Sequence, residues 1–304
     1  MLLCRNPYIG SGGAAYGCGQ CMPCRVNHRR MWTHRIALEA TQHKTNSFWT
    51  LTYTDENLPL TEDGIPTLKP SDLTDFMKRL RMSYEPLKLR YFNVGEYGES
   101  TSRPHYHLAL FNYPACRRGV TVVNRQGNCC DICDGLKGIW AKGIVYSGQL
   151  EDASAAYICG YITKKLTSKH HPELGGRYPE FARMSLKPGI GAGLIPEVAS
   201  VLLTHNLEQL PDVPTSLRTG ARVQPLGRYL TQQLRSHVGL DKKAPQATLE
   251  AQKAKLQILR ETAFQTCSLG KNKETFQKLI LDVHAGANAQ LEAKSKIYKK
   301  RSHL

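Results

Sequence analysis

Three stretches of this chain have the β-branched and aromatic make-up of strands, with helix signals between them, and this alternation restricts the fold more than any other feature. Ser47–Thr54 (SFWTLTYT) reads as one strand, Leu89–Val94 as a second and His105–Phe111 as a third. Helices are expected from about Arg25 to Lys44 and, after the turn-rich stretch Pro59 to Pro70, from an N-cap at Ser71 to about Ser83. A short strand is expected at Gly143–Ser147, and a helix from Asp152 or Ser154 to about Leu166. This order makes an α+β domain built on a largely antiparallel sheet. Little regular structure is expected between His170 and Leu217, which are rich in Gly and Pro. Helical periodicity returns around Leu249–Phe264 and Glu274–Val283.

The third strand opens on His105-Tyr106-His107. Side chains two apart on a strand share a face, so both imidazoles can meet one ion while Tyr106 points the other way. Glu96 ends the preceding strand, and the loop GEYGESTSRP returns the chain to His105. Paired as a hairpin, these strands bring a carboxylate to two neutral imidazoles, a ligand set that suits Mg²⁺ or Mn²⁺ acting as a Lewis acid. Glu99, in the loop, is the rival ligand. Downstream, Tyr157 and Tyr161 stand four apart in YICGYITKK and share a helix face, with Lys164 and Lys165 within the next turn. A phenol with a pKa near 10 is a poor nucleophile, and nearby positive charge with a polarised phosphate is what makes its attack feasible. Ordinary packing histidines and an aromatic stripe are the bland readings of the same residues.

Ten cysteines fall mainly into two groups: Cys4, Cys18, Cys21 and Cys24, then Cys116, Cys129, Cys130 and Cys133. The N-terminus has no apolar run typical of a signal peptide, and no stretch reaches the roughly 18 apolar residues of a membrane span. A reducing, cytosolic setting follows as an expectation, so metal ligation is favoured over disulfides. Four thiols can close a tetrahedral structural Zn²⁺ site. The first group is the stronger, because Arg25, His28, Arg29, Arg30 and Arg35 follow it and would form a basic DNA-binding helix behind a rigid knuckle. In the second, adjacent Cys129 and Cys130 are not expected to bind one ion together easily. Cys159 and Cys267 read as incidental, with Cys159 pointing away from the tyrosines.

Lys and Arg number 41 against 25 Asp and Glu, a formal charge of +16. The excess points to a polyanionic partner, nucleic acid first. From Lys242 to Leu304 there are 13 Lys or Arg and five acids, half of the net charge. These residues are expected to form a basic helical arm that touches phosphates.

The motifs together resemble one family. RPHYHLALF is similar to the metal motif of the HUH endonucleases, YICGYITKK to their two-tyrosine variant, and FWTLTYTDENLP to their first motif. The order of GEYG, RPHYH and Y-x-x-x-Y-x-x-K, with CGQCMPCR upstream and PEFARMSLKPGIG downstream, resembles the replication initiators of gokushovirus-type microviruses over roughly residues 18–195. The resemblance implies an HUH-type core and a site-specific single-strand endonuclease that starts rolling-circle replication. One tyrosine takes the 5′-phosphate of the cut strand, and the second cuts the regenerated origin so that the displaced strand closes. Tyr161 has Lys164 at the family offset, which makes it the expected principal nucleophile, whereas Tyr157 has Gly160 there.

The expected partners are single-stranded or supercoiled viral origin DNA, with a host helicase and polymerase, since no Walker-type motif is present. No membrane partner is expected, and the place of action would be the host bacterial cytoplasm. Four regions are anticipated: 1–46 as knuckle and basic helix, 47–170 as nicking core with a cysteine-rich insertion at 114–138, 171–241 as an extension packed on the core, and 242–304 as the tail. Two other classes fit the same residues: a transposase or relaxase on the same scaffold, and a non-enzymatic zinc-containing nucleic-acid binder.

Overall fold

A computed structural model of the chain describes residues 4, 7–9, 15–98, 101–119, 129–161, 174–206, 210–266, 286, 289, 290 and 293. Its centre is a five-stranded sheet made of β3 (Asn46–Thr52), β4 (Arg90–Tyr97), β5 (Pro104–Phe111), β6 (Val145–Gln149) and β7 (Phe181–Met184). The order is β6-β3-β5-β4-β7, and every neighbouring pair is antiparallel. A two-residue pair, β1 (Tyr8–Ile9) and β2 (Ala15–Tyr16), precedes the first helix. The α+β class and antiparallel sheet read from the sequence are what the chain forms.

Alternation along the strands makes two cores, one on each face. On one face Trp49 and Leu51 of β3 and Tyr106, Leu108 and Leu110 of β5 pack under α2 (Pro70–Tyr84) and α3 (Asp131–Trp140). Helix α2 contributes Leu73, Phe76, Met77 and Leu80, spaced as one helical stripe, and each such side chain adds roughly 2 kcal/mol on burial. On the other face Phe92 and Val94 of β4 and Ala109 and Phe111 of β5 pack under α1 (Met22–Ala40) and α4 (Asp152–Tyr161). Residues Ile36, Ala155, Ile158 and Cys159 supply the helical side of that core.

Tyr106 points away from the two histidines and is fully buried. Its hydroxyl accepts from the Lys69 N–H at 3.1 Å and donates to the Lys69 carbonyl at 3.0 Å, so the strand is tied to the start of α2. That helix starts one residue earlier than expected. Lys69 is the N-cap and Pro70 lies in the first turn, where its missing N–H costs nothing, so Ser71 is inside the helix.

Between residues 174 and 241 the chain is more regular than its Gly and Pro content suggests. It contains β7, a 3-10 turn at Ala192–Leu194, α5 (Ile195–Thr204), the hairpin β8 (Ser216–Thr219) and β9 (Arg222–Pro225), and α6 (Gly227–His237). Strand β7 was invisible because it is four residues long and takes its register from β4. Helices α5 and α6 share an apolar core with Leu38 of α1. Glu39 joins the three parts: it accepts from the Gly191 N–H at 2.7 Å, contacts His43 at 3.1 Å and pairs with Arg90 of β4. Gly191 has a positive φ, and its Cα lies so close to Arg35 that an added Cβ would come within 2.9 Å of the Arg35 carbonyl.

Helix α7 (Gln246–Thr266) covers the expected Leu249–Phe264 segment. The expected Glu274–Val283 helix and Cys267 lie outside the described residues, as does the continuation of α4 to Leu166. No helix among the described residues is long and apolar enough to cross a membrane.

Candidate active site

In the β4–β5 register Glu96 stands opposite His105 and Val94 opposite His107. Glu96 shares the parity of Phe92 and Val94, and the histidines share that of Ala109 and Phe111. All three therefore project from the face covered by α1 and α4. Their ligand atoms lie within 4.8 Å of one another. Glu96 Oε1 is 2.6 Å from His105 Nε2 and 2.9 Å from His107 Nε2.

The far side of each ring tells what this convergence needs. His105 Nδ1 is 3.0 Å from the Arg103 carbonyl, which can only accept, so Nδ1 carries the hydrogen. A neutral His105 then turns a lone pair toward the Glu96 carboxylate. Two acceptors at 2.6 Å hold together only through a shared proton or a cation, and the donor set of two imidazoles and a carboxylate suits a divalent ion. The Glu96 side chain is buried, which works to raise its pKa, but the two imidazoles outweigh burial and hold it at about 2. It is thus ionised, as a metal ligand must be.

Three orienting residues escaped the sequence reading. Thr50 Oγ1 is 2.8 Å from His107 Nδ1, and its place opposite His107 in the β3–β5 register was the available signal. Arg103, whose carbonyl holds His105, is itself fixed by Asp55 and the Tyr53 carbonyl, both at 2.7 Å. Phe48 stacks on the His107 ring with centroids 5.7 Å apart. Such outer partners set which ring nitrogen faces the ligand site.

Tyr157 lies on α4 beside this group. Its ring meets His107 edge-on with centroids 5.1 Å apart and Phe48 at 6.2 Å, yet the residue is 46% exposed. Tyr161 is the last residue of α4, and its side chain lies outside the described residues. Lys164, Lys165 and Glu99 are also outside them. Cys159 is fully buried on the core side of α4.

Helix α1 runs against α4 and brings its arginines to the site. Arg29 is exposed and donates from Nε to the Ala156 carbonyl at 2.8 Å, next to Tyr157. Arg30 is exposed and reaches the Val223 carbonyl at 3.4 Å, while Arg25 is partly exposed. Arg35 corrects the expectation of a DNA contact. It is buried, donates from Nε to the Ile190 carbonyl at 2.9 Å, and its guanidinium lies 4.1 Å from the Trp32 ring and 5.0 Å from that of Tyr229.

Both cysteine groups converge. Cys4, Cys18, Cys21 and Cys24 bring their sulfurs within 4.8 Å of one another, with Cys21 Sγ 3.8 Å from Cys4 Sγ. Cys116, Cys129, Cys130 and Cys133 do the same, which corrects the view that adjacent Cys129 and Cys130 would not share a centre. A bend at Cys129 turns the chain as it enters α3 and lets both sulfurs face inward. None of these eight thiols is in a disulfide.

Residues 46–166 match the model of the replication-associated protein ORF2 family. The chain is 36% identical over 178 residues to replication-associated protein ORF2 of Spiroplasma virus 4, covering 57% of this chain and 55% of that protein. It is 30% identical over 205 residues to replication-associated protein VP4 of Bdellovibrio phage phiMH2K, covering 65% and 63%. With replication-associated protein ORF4 of Chlamydia phage 1 the identity is 26% over 155 residues, covering 49% and 38%. The matched region thus spans between about two fifths and just under two thirds of each of these relatives. No solved structure is significantly similar to the chain.

Proposed function

The chain is a relative of microvirus-type replication initiators, and from that kinship we propose that it is a metal-dependent tyrosine nickase of HUH type that starts rolling-circle replication at a single-stranded phage origin. The observation that carries this reading is the meeting of Glu96, His105 and His107 on one sheet face with the Tyr157 ring against His107. Glu96, His105 and His107 would hold Mg²⁺ or Mn²⁺, which supplies Lewis-acid polarisation of the scissile phosphate.

The chain's own residues do the rest. A tyrosine hydroxyl gives up its proton and its oxygen forms a bond to phosphorus, while the bond from phosphorus to the 3′-oxygen breaks and that oxygen takes a proton. The products are a 5′-phosphotyrosine and a free 3′-OH for the host polymerase, with unwinding left to a host helicase. Because the phosphotyrosine keeps the energy of the phosphodiester, a second exchange joins the displaced strand without ATP. Tyr161, with Lys164 at its family offset, is the first nucleophile in this reading and Tyr157 the second, while Lys164 and Lys165 favour the charged phosphate. The partial exposure of Tyr157 leaves it open to a DNA strand.

Arg25, Arg29 and Arg30 of α1 would grip the strand's phosphates, and Arg29 is well placed because it already leans on the carbonyl of Ala156. Cys4, Cys18, Cys21 and Cys24 would hold a structural Zn²⁺ that stiffens the entry to this helix. Residues beyond 242 act as an accessory arm on phosphates.

The test is incubation of the purified chain with single-stranded oligonucleotides tiled across the phage genome, with and without Mn²⁺. One oligonucleotide should be cut at a single position and should leave a labelled, protease-sensitive adduct on the protein. Mn²⁺-independent cutting, or no adduct on any tile, would overturn the reading.

A further inference from the structure

The second cysteine group sits on the face of the sheet opposite the proposed nicking site and takes no part in that chemistry. Cys116, Cys129 and Cys133 are buried at 5, 6 and 7% exposure, among Trp140, Leu136 and Tyr113 in the core under α2 and α3. Cys116 is fixed at the sheet edge, where its N–H donates to Ser147 Oγ of β6 at 2.8 Å. Cys129 is fixed by its N–H on Asp134 Oδ1 at 3.1 Å. Cys130 is the N-cap of α3 and Cys133 stands in its first turn.

The sulfur spacings are informative. Cys116 Sγ is 3.5 Å from Cys129 Sγ and 3.9 Å from Cys130 Sγ. Tetrahedral zinc with Zn–S bonds of about 2.3 Å requires sulfurs about 3.8 Å apart. A cluster of several metal ions would divide the thiolates among them and set the pairs farther apart, so the 4.8 Å limit for all four sulfurs favours one ion. The N-terminal group is built the same way: Cys21 is the N-cap of α1, Cys24 lies in its first turn, and two more thiols come from preceding chain. The two groups share no sequence beyond C-x2-C, yet each sets that pair at a helix start. There the unbonded N–H groups and the helix dipole favour the negative charge of a four-thiolate site.

We propose that Cys116, Cys129, Cys130 and Cys133 bind one structural Zn²⁺, a second zinc centre that clamps the start of α3 to the sheet edge. Helix α3 carries Trp140, whose indole N–H donates to the Thr52 carbonyl at 2.8 Å, and Thr52 stands opposite His105 in the sheet. The centre therefore braces β3 from behind the histidine strand. It does not depend on the nickase reading.

The experiment measures zinc in full-length protein purified under reducing conditions and dialysed without chelator, by mass spectrometry and by release with a thiol reagent. Wild type should hold two zinc ions per chain. Cys130→Ser should lower the count by one, Cys21→Ser should remove the other, and the double variant should hold none. A single ion that Cys130→Ser removes would still support this centre while failing the N-terminal one. A count that Cys130→Ser leaves unchanged, or wild type without zinc, would overturn the proposal. Should Cys130→Ser not fold, X-ray absorption on wild type decides: two ions with all-sulfur shells near 2.3 Å support it, and one ion or none overturns it.

Discussion

Glu39→Gln is a quantitative test of how α1 is held. Burial works to raise the Glu39 carboxyl, but the His43 ring, the Arg90 guanidinium and the Gly191 N–H outweigh it and bring the pKa from its ordinary 4.5 to about 2. Its side chain is 2% exposed, so solvent screening is small. At about 1.4 kcal/mol per pH unit, ionised Glu39 stabilises the fold by about 3 kcal/mol. The sign follows from the depressed folded-state pKa. The stabilisation is complete above the unfolded-state value of about 4.5, has fallen by about half at pH 3, and is gone below about 2.

Gln keeps the size of the side chain and removes its charge. Urea unfolding followed by tryptophan fluorescence should therefore place the variant about 3 kcal/mol below wild type at pH 7. The gap should narrow to about 1.4 kcal/mol at pH 3, while both proteins weaken for other reasons. A gap equal at pH 3.5 and pH 7 would mean that Gln disturbs packing rather than charge. A gap well under 1 kcal/mol at pH 7 would mean that Glu39 does not hold α1 against β4 and the Gly191 turn.

Four further outcomes follow from the proposed chemistry. Tyr161→Phe should abolish the covalent DNA adduct and Tyr157→Phe should mainly impair strand joining; an adduct that survives the first change and is lost in the second would exchange the two roles. Glu96→Gln and His107→Ala should each lower Mn²⁺-dependent nicking by roughly 100-fold or more, on the scale of losing one electrostatic catalytic group, while binding to the same oligonucleotide changes little; nicking within tenfold of wild type would dismiss the ligand assignment. Arg29→Gln should weaken single-strand binding and reduce its salt dependence by about one counterion, whereas Arg35→Gln should lower stability and leave the salt slope alone. Deleting residues after 250 keeps the Thr248 to Asp212 hydrogen bond and the Arg235 contact with Lys242; binding to long DNA should weaken with a flatter salt dependence, while cutting of a short saturating oligonucleotide stays within twofold.

The strands that carry Glu96, His105 and His107 were legible because their pattern is local: alternation and a β-branched run are written in consecutive residues. The same holds for α2 and α4. What was not legible depends on partners distant in sequence. Helix α3 reads as loop because it contains Gly135, Gly138 and one of the cysteines, with another as its cap, and its helical state draws on Leu136 and Trp140 entering a core formed by residues far earlier in the chain. Strand β7 exists only against β4. Arg35 reads as one more basic residue of a DNA-facing helix, since nothing nearby reveals that Ile190 and Tyr229 enclose it. At the site, the histidine pair and its carboxylate could be read from spacing. Thr50 and the Arg103 carbonyl could not, because they depend on which strand lies next to β5 and how the preceding turn is anchored.

The two-sided strand β5 also bears on how such chains can change over generations. Its odd-numbered residues face the proposed metal site and its even-numbered ones the core of Tyr106, Leu108 and Leu110. Losing or gaining one codon inside 104–111 would exchange the faces at a stroke, driving imidazoles toward Trp140 and a phenol toward the carboxylate. No single later substitution could repair both sides. The connection between Tyr97 and Pro104 carries no such parity, so lineages can lengthen or shorten it while the reading frame of the strand itself stays closed to insertion.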